Sequence, residues 1–171
     1  MNKKNLSLNI SIATISDSRT NLTDVSGRVL EKKIIESPHK LYTQSIIKDD
    51  VKKISLYLKE CIENKNIDVI ITTGGTGLTG RDSTPEAVKQ IIEKEIDGFG
   101  ELFRMLSYQK IGTSALQSRA IAGIANGKFI FAIPGSPSAC KDAWEGILKH
   151  QLDVNHKPCN FVELFPRLKE K

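Results

Sequence analysis

Ile67-Asp68-Val69-Ile70-Ile71-Thr72-Thr73-Gly74-Gly75-Thr76-Gly77 is the stretch that decides the fold. A short run rich in β-branched residues that ends on glycines reads as a buried strand of a parallel sheet, with a loop at its carboxyl end. Glycine lets backbone N–H groups come close to an anion. Thr73 and Thr76 add hydroxyl donors, and a helix starting near Pro85 adds its positive end. Gly74, Gly75 and Gly77 therefore have phosphate-binding chemistry, but they also suit an ordinary tight turn, and glycine content alone does not choose.

Upstream, Leu6, Leu8, Ile10 and Ile12 alternate and then tighten through Ile15, which predicts a first strand entering a buried sheet. Asp24 is placed to cap a helix with Val25, Val29, Leu30 and Ile34 on one face, ending near Ser37-Pro38. A second strand over 41–47 stops at Lys48-Asp49-Asp50. Val51, Ile54, Leu58, Cys61 and Ile62 then mark an amphipathic helix. Downstream, Thr84 as N-cap and Pro85 as first residue predict a helix with Val88, Ile91, Ile92 and Ile96 inward, ended by Gly98 and Gly100. Further helices are predicted over 101–107 and 115–125, then a buried strand over 129–133. Pro134-Gly135-Ser136-Pro137 repeats the loop device, with Ser136 capping a last long helix whose inner face is Ala139, Ala143, Ile147 and Leu148. The extended tail from about 151 has no regular pattern. Strands alternating with helices predict an α/β fold with a mainly parallel sheet covered on both faces.

The length, 171 residues, predicts a single domain over 1–171. Lys and Arg number 25 against 20 Asp and Glu, a dispersed excess that favours anionic ligands. Aromatic residues are 6% of the chain and do not alternate with Lys or Arg, so the stacking platform of a single-strand nucleic-acid binder is missing. Cys61, Cys140 and Cys159 are odd in number and far apart, which argues against a disulfide framework or zinc site and fits a reducing compartment. Despite Lys3 and Lys4, the stretch Met1 to Ser16 is too interrupted by Asn and Ser for a signal-peptide core or membrane span. A cytoplasmic protein without membrane or nucleic-acid partners is expected.

Ligands of open parallel sheets bind beyond the carboxyl ends of strands, and four such ends are polar here. They are Ser16-Asp17-Ser18-Arg19, Lys48-Asp49-Asp50, the run over 72–82, and Pro134-Gly135-Ser136. Gly75-x-Gly77-x-x-Gly80 matches the dinucleotide string, but the helix begins only after Gly80 and no acidic residue ends the next strand. Arg81-Asp82 stands where a P-loop needs Lys and Ser or Thr. Neither motif is accepted. Asp49 and Asp82 could face one crevice and share Mg2+, a hard cation suited to oxygen ligands. Against this, Asp49 or Asp50 could cap the helix at Val51, and Asp82 could pair with Arg81. Ser16, Asp17 and Ser18 form a ligand loop or a plain turn. Ser118-Arg119 opens a helical turn and either reaches an anion or is solvated. His39, His150 and His156 read as surface residues; Cys61 and Trp144 read as packing.

Thr72-Thr73-Gly74-Gly75-Thr76-Gly77, Arg81-Asp82-Ser83-Thr84-Pro85-Glu86-Ala87, Gly98-Phe99-Gly100-Glu101, Leu116-Gln117-Ser118-Arg119 and Pro134-Gly135-Ser136-Pro137 together resemble the MoaB/MogA family of molybdenum cofactor biosynthesis proteins. The resemblance runs from the first strand to Pro158-Cys159-Asn160-Phe161. It implies a three-layer α/β/α fold, a homotrimer or homohexamer, and molybdopterin as ligand. It also implies transfer of AMP from Mg2+-bound ATP to molybdopterin, with other enzymes of the pathway as possible partners. By position, Thr73, Gly74, Gly75, Thr76, Gly77 and Ser136 would hold the phosphate end, with Pro134, Gly135, Ser118 and Arg119 in the same binding set. Ser16, Asp17 and Ser18 would border the pocket. Asp49, a better match than Asp50, and Asp82 would be the catalytic, magnesium-linked carboxylates. Some family members work beside a paralogue that does the adenylylation, so a non-catalytic carrier or scaffold is the alternative. The reaction suits these residues: a phosphate monoester has a second pKa of ~6, so its oxygen is already nucleophilic at neutral pH and no catalytic triad is needed.

Overall fold

A computed structural model describes residues 6–170. Lys3 and Lys4, and with them part of the reading of the first sixteen residues, lie outside the described residues. The strands are β1 (Asn9–Ile15), β2 (Lys40–Ile47), β3 (Val69–Thr73), β4 (Lys94–Glu95), β5 (Ile121–Ala125) and β6 (Lys128–Ile133). They form one sheet in the order β2-β1-β3-β6-β5-β4. The first four of that order run parallel, and β5 and β4 continue it antiparallel. Helices α1 (Val25–Ile35), α2 (Val51–Glu63), α3 (Thr84–Lys89), α4 (Asp97–Ile111) and α5 (Pro137–Ala143) cover both faces. The α/β/α expectation with a mainly parallel sheet holds.

Period-two alternation sorts the strand residues into two cores. Ile10, Ile12, Val69, Ile71, Phe129 and Phe131 face α1, α4 and α5; Ala13, Ile15, Ile70, Ile130 and Ala132 face α2 and α3. Each fully buried side chain of this size contributes roughly 1.5–3 kcal/mol, which is why β3 and β6 are apolar on both faces. Asp24 caps α1 by accepting from Gly27 N at 2.8 Å, and Asp50 caps α2 by accepting from Lys53 N at 3.0 Å. Ser136 caps α5, accepting from Ala139 N at 3.1 Å. That last helix continues through a π-turn, Trp144–Leu148, to Gln151, with Trp144 buried as packing.

Several expectations are corrected. The helix after the glycine loop ends at Lys89, leaving Ile91 and Ile92 outside it, and the short edge strand β4 follows. Gly98 and Gly100 do not end a helix; both lie in the first turn of α4. Gly100 is there for close approach, because a Cβ would sit 2.6 Å from the Ala120 carbonyl. The expected helix over 115–125 is instead a 3-10 turn, Gly112–Gln117, followed by β5. β5 and β6 form a hairpin whose turn, Asn126-Gly127, has φ of 48° and 76°. That is the geometry Asn-Gly favours. Thr84 is the first residue of α3 rather than its cap. His39 is buried, not on the surface. The tail has a 3-10 turn, Val162–Arg167, and seats Phe161 and Phe165 on Phe129 at centroid distances of 4.8 and 5.1 Å. Among the described residues no helix is long and apolar enough to cross a membrane.

Candidate functional site

β1 leads to α1 on one face of the sheet, its neighbour β3 leads to α3 on the other, and β6 leads back to α5 on the first. Connections that diverge like this leave a crevice at the carboxyl ends of the strands. A cleft of about 650 Å³ opens there. Ser16, Asp17 and Ser18 line it from β1; Asp49 from β2; Gly74, Gly75, Thr76, Gly77 and Asp82 from β3; Pro134, Gly135 and Ser136 from β6. Ser118 reaches it from the segment before β5. Of the thirteen binding residues chosen from the sequence beside the two carboxylates, eleven line the cleft with Asp49 and Asp82, and Thr73 and Arg119 do not.

Thr73 and Arg119 shape the loop from behind. The Thr73 hydroxyl donates to the Pro134 carbonyl at 3.0 Å and lies 3.1 Å from the Cys140 thiol, so it joins the ends of β3 and β6. Arg119 is extended chain beyond the 3-10 turn, not the opening of a helix. Its Nε donates to Gly77 O and its Nη2 to Asp82 O, both at 2.7 Å, and Nη1 pairs with Glu86. The guanidinium thereby clamps both ends of the 77–82 segment.

The glycine loop follows a path closed to side chains. Gly74 and Gly75 have φ of +104° and +65°. A Cβ on Gly74 would lie 2.3 Å from the Ile15 carbonyl, and one on Gly75 2.4 Å from Thr84 Oγ1 and 2.8 Å from Asp49 Oδ2. Thr84 then locks the turn, its hydroxyl donating to Gly74 O at 2.8 Å and its N–H to Gly75 O at 2.9 Å.

Each carboxylate has its own holder. Asp49 Oδ1 accepts from the Ser83 N–H at 3.0 Å and the Ser83 hydroxyl at 2.6 Å. Asp82 Oδ2 accepts from the Thr79 N–H at 2.8 Å and the Thr79 hydroxyl at 2.6 Å. The Thr79 hydroxyl is the main cause holding Asp82 below the usual carboxylate pKa; the N–H groups of Thr79 and Gly77 and the charge of Arg119 add to it, against desolvation. Arg81, the alternative partner for Asp82, pairs with Asp17 instead. The Ser118 hydroxyl is buried without a hydrogen-bond partner among the described residues, and Ser118 lines the cleft. Lys110, paired with Asp142, is the one basic residue among the lining set.

Sequence reasoning missed the holders. Ser83, Thr79 and Thr84 lie in the stretch already singled out, yet their partners are set by the fold. Ser26, which donates to Gly135 O at 2.7 Å across 109 positions, gave no local signal at all. Ser107, Lys110 and Ser114 on and after α4 also line the cleft. The predicted helix over 101–107 lies within α4 but stops short of Lys110, and its direction toward the cleft is set by the fold.

Among the described residues no group of three or more His, Cys, Asp or Glu could hold a metal alone. Two carboxylates in one cleft are nonetheless the donor set Mg2+ uses when substrate phosphates complete its shell. The residues fit that ion.

Comparison with known proteins gives the chain a family. Residues 11–154 match the family model described as "Probable molybdopterin binding domain". The molybdenum cofactor biosynthesis protein B of Escherichia coli K12 is 45% identical over 161 residues, 94% of this chain and 93% of that protein. The Staphylococcus aureus N315 protein of the same name is 47% identical over 156 residues, 88% and 91% of the two chains. A crystal structure of molybdenum cofactor biosynthesis protein B superposes with a TM-score of 0.87 at 38% identity, covering 97% and 98%. The tungsten cofactor synthesizing protein MoaB of Pyrococcus furiosus does so with a TM-score of 0.75 at 33% identity, covering 84% and 92%. The chain belongs to the MoaB/MogA family of molybdenum cofactor biosynthesis proteins, with a molybdopterin-binding domain built around this cleft-forming sheet.

Proposed function

We propose that the chain binds molybdopterin in the glycine-loop cleft and transfers AMP from Mg2+-ATP to its terminal phosphate. One observation carries this reading: Asp49 and Asp82, from different strand ends, line the same cleft as the 74–77 loop. The loop and the start of α5 hold the phosphate end, and the unpartnered Ser118 hydroxyl is available to a ligand. Thr79 keeps Asp82 ionised and Ser83 fixes the Asp49 carboxylate. Both can therefore hold Mg2+, which supplies charge neutralisation at the phosphates when bound. A phosphate oxygen of molybdopterin forms a bond to the α-phosphorus of ATP. The α–β bridging P–O bond breaks, and its electron pair leaves on pyrophosphate. No general base is required, since the attacking oxygen is already deprotonated, and the protein's work is positioning and charge compensation.

Incubation with molybdopterin, ATP and Mg2+ tests this by pyrophosphate release. Asp82→Asn is expected to keep molybdopterin affinity within about twofold and to lose about 10²–10³-fold in turnover, the range for removing one group that stabilises transition-state charge. Normal turnover in that variant removes Asp82 from the mechanism. Tight molybdopterin binding without pyrophosphate release from the native chain selects a non-catalytic carrier.

A further inference from the structure

Beside the first cleft lies a second, of about 530 Å³, whose charged lining is Lys48, Lys52, Lys53 and Arg81 with Asp17, Asp49 and Asp50. Asp17 and Asp49 line both clefts and so form the partition between them. Lys48, Lys52 and Lys53 are exposed and make no ion pair among the described residues. Asp50 already caps α2 through Lys53 N, so the cleft's positive charge comes from side chains rather than from the helix end.

The charges of the neighbouring spaces differ. In the glycine-loop cleft four carboxylates (Asp17, Asp49, Asp82 and Asp142) face a single base, Lys110, which is spoken for by Asp142. That wall suits one phosphate cradled by backbone donors, but it repels the several charges of a polyphosphate. A third space, about 570 Å³, holds Lys89, Arg104 and Arg119 against Glu86, Glu95, Asp97 and Glu101, and its arginines are turned onto backbone carbonyls. Of these three spaces among the described residues, the lysine-lined cleft combines unpaired ammonium groups with direct contact to a carboxylate of the first.

We propose that this second cleft receives the β,γ-diphosphate of the nucleotide and releases it as pyrophosphate: unpaired Lys48, Lys52 and Lys53 lie across Asp49 from the molybdopterin cleft. The proposal rests on the adenylyl-transfer reading. It supplies that reading with cationic groups for the departing tetraanion, whose charge one Mg2+ held by Asp49 and Asp82 would offset only in part. Bond changes are those already given; no proton or further reactant enters.

The test is equilibrium dialysis of the full chain against labelled inorganic pyrophosphate, with and without saturating molybdopterin. Lys52→Gln combined with Lys53→Gln is expected to weaken pyrophosphate binding about tenfold, the scale of one lost charge-assisted contact, and to leave molybdopterin affinity unchanged. Molybdopterin is expected not to displace pyrophosphate. Native-like pyrophosphate binding by the double variant overturns the proposal, as does displacement by molybdopterin, which puts pyrophosphate on the glycine loop, or no binding by the native chain. If the lysine variant loses pyrophosphate while the native chain forms no adenylylated product, the anion site stands and adenylyl transfer falls.

Discussion

At the carboxyl end of the sheet Asp49 and Asp82 stand over a glycine loop, in a cleft of about 650 Å³. At the amino end Asp68, Lys128 and His39 turn onto the backbone of the chain itself. Asp68 Oδ2 accepts from Asn9 N at 2.8 Å, and His39 Nδ1 accepts from Leu8 N at 3.3 Å. The Lys128 ammonium donates to Asn64 O at 2.8 Å and to Ile67 O, closing the end of α2 against the start of β3. Both ends thus satisfy polar groups internally, but in different ways. The amino end uses side chains to finish strands. The carboxyl end uses hydroxyls, from Ser83 and Thr79, to aim other side chains into an open space, so its loss should cost function before stability.

Gly75→Ala is the sharpest way to break the carboxyl end. The new Cβ meets Thr84 Oγ1 and Asp49 Oδ2 at a backbone φ of +65°. Strain of this kind costs about 1–3 kcal/mol. Molybdopterin affinity, read by fluorescence titration, is expected to fall by about 100-fold or more, since loop and carboxylate shift together. Unchanged affinity would detach the loop from binding. Lys128→Met is the matching lesion at the amino end. It removes the ammonium from Asn64 O and Ile67 O, Asn64 O keeping the Ile67 N–H at 3.2 Å, and chemical denaturation is expected to register a loss of about 1–3 kcal/mol, with molybdopterin affinity unchanged. A fall in affinity would mean that the two ends are coupled.

The sequence is legible where a residue's role is set by its neighbours along the chain. The strand ends, the Asp24, Asp50 and Ser136 caps, and the burial of Cys61 and Trp144 all followed from local pattern. Legibility failed around α4. Gly98 and Gly100 look like helix terminators, and nothing local says that Gly100 serves the approach of Ala120. Asn126-Gly127 is a hairpin signal, but the apolar run Ala120 to Ala125 before it has no polar alternation to mark a strand, because β5 is buried on both faces. In the site, the candidates at strand ends were readable because a parallel sheet gathers its carboxyl ends. The partners of Thr73, Arg119, Ser83 and Ser26 depend on segments between 33 and 109 positions away, and no local pattern encodes such distances.

The smallest expected effect belongs to His39 and concerns the amino end alone. Its Nδ1 accepts a backbone N–H, so the folded chain requires that nitrogen to be unprotonated. Burial is the main cause pulling its pKa below the ordinary value of about 6.5, with the charges of Asp153 and Asp68 opposing. A depressed folded-state pKa means that the unfolded chain binds the proton first. The stabilising contribution is therefore complete above about pH 6.5 and is lost as pH falls from there through the folded value. Denaturation midpoints measured between pH 7.5 and 5 should decline more steeply for the native chain than for His39→Gln, by about 1 kcal/mol or less. Molybdopterin affinity corrected for the unfolded fraction should change equally in both. Parallel stability profiles would show that His39 is free to protonate in place, and that the amino end is held by Asp68 and Lys128 without it.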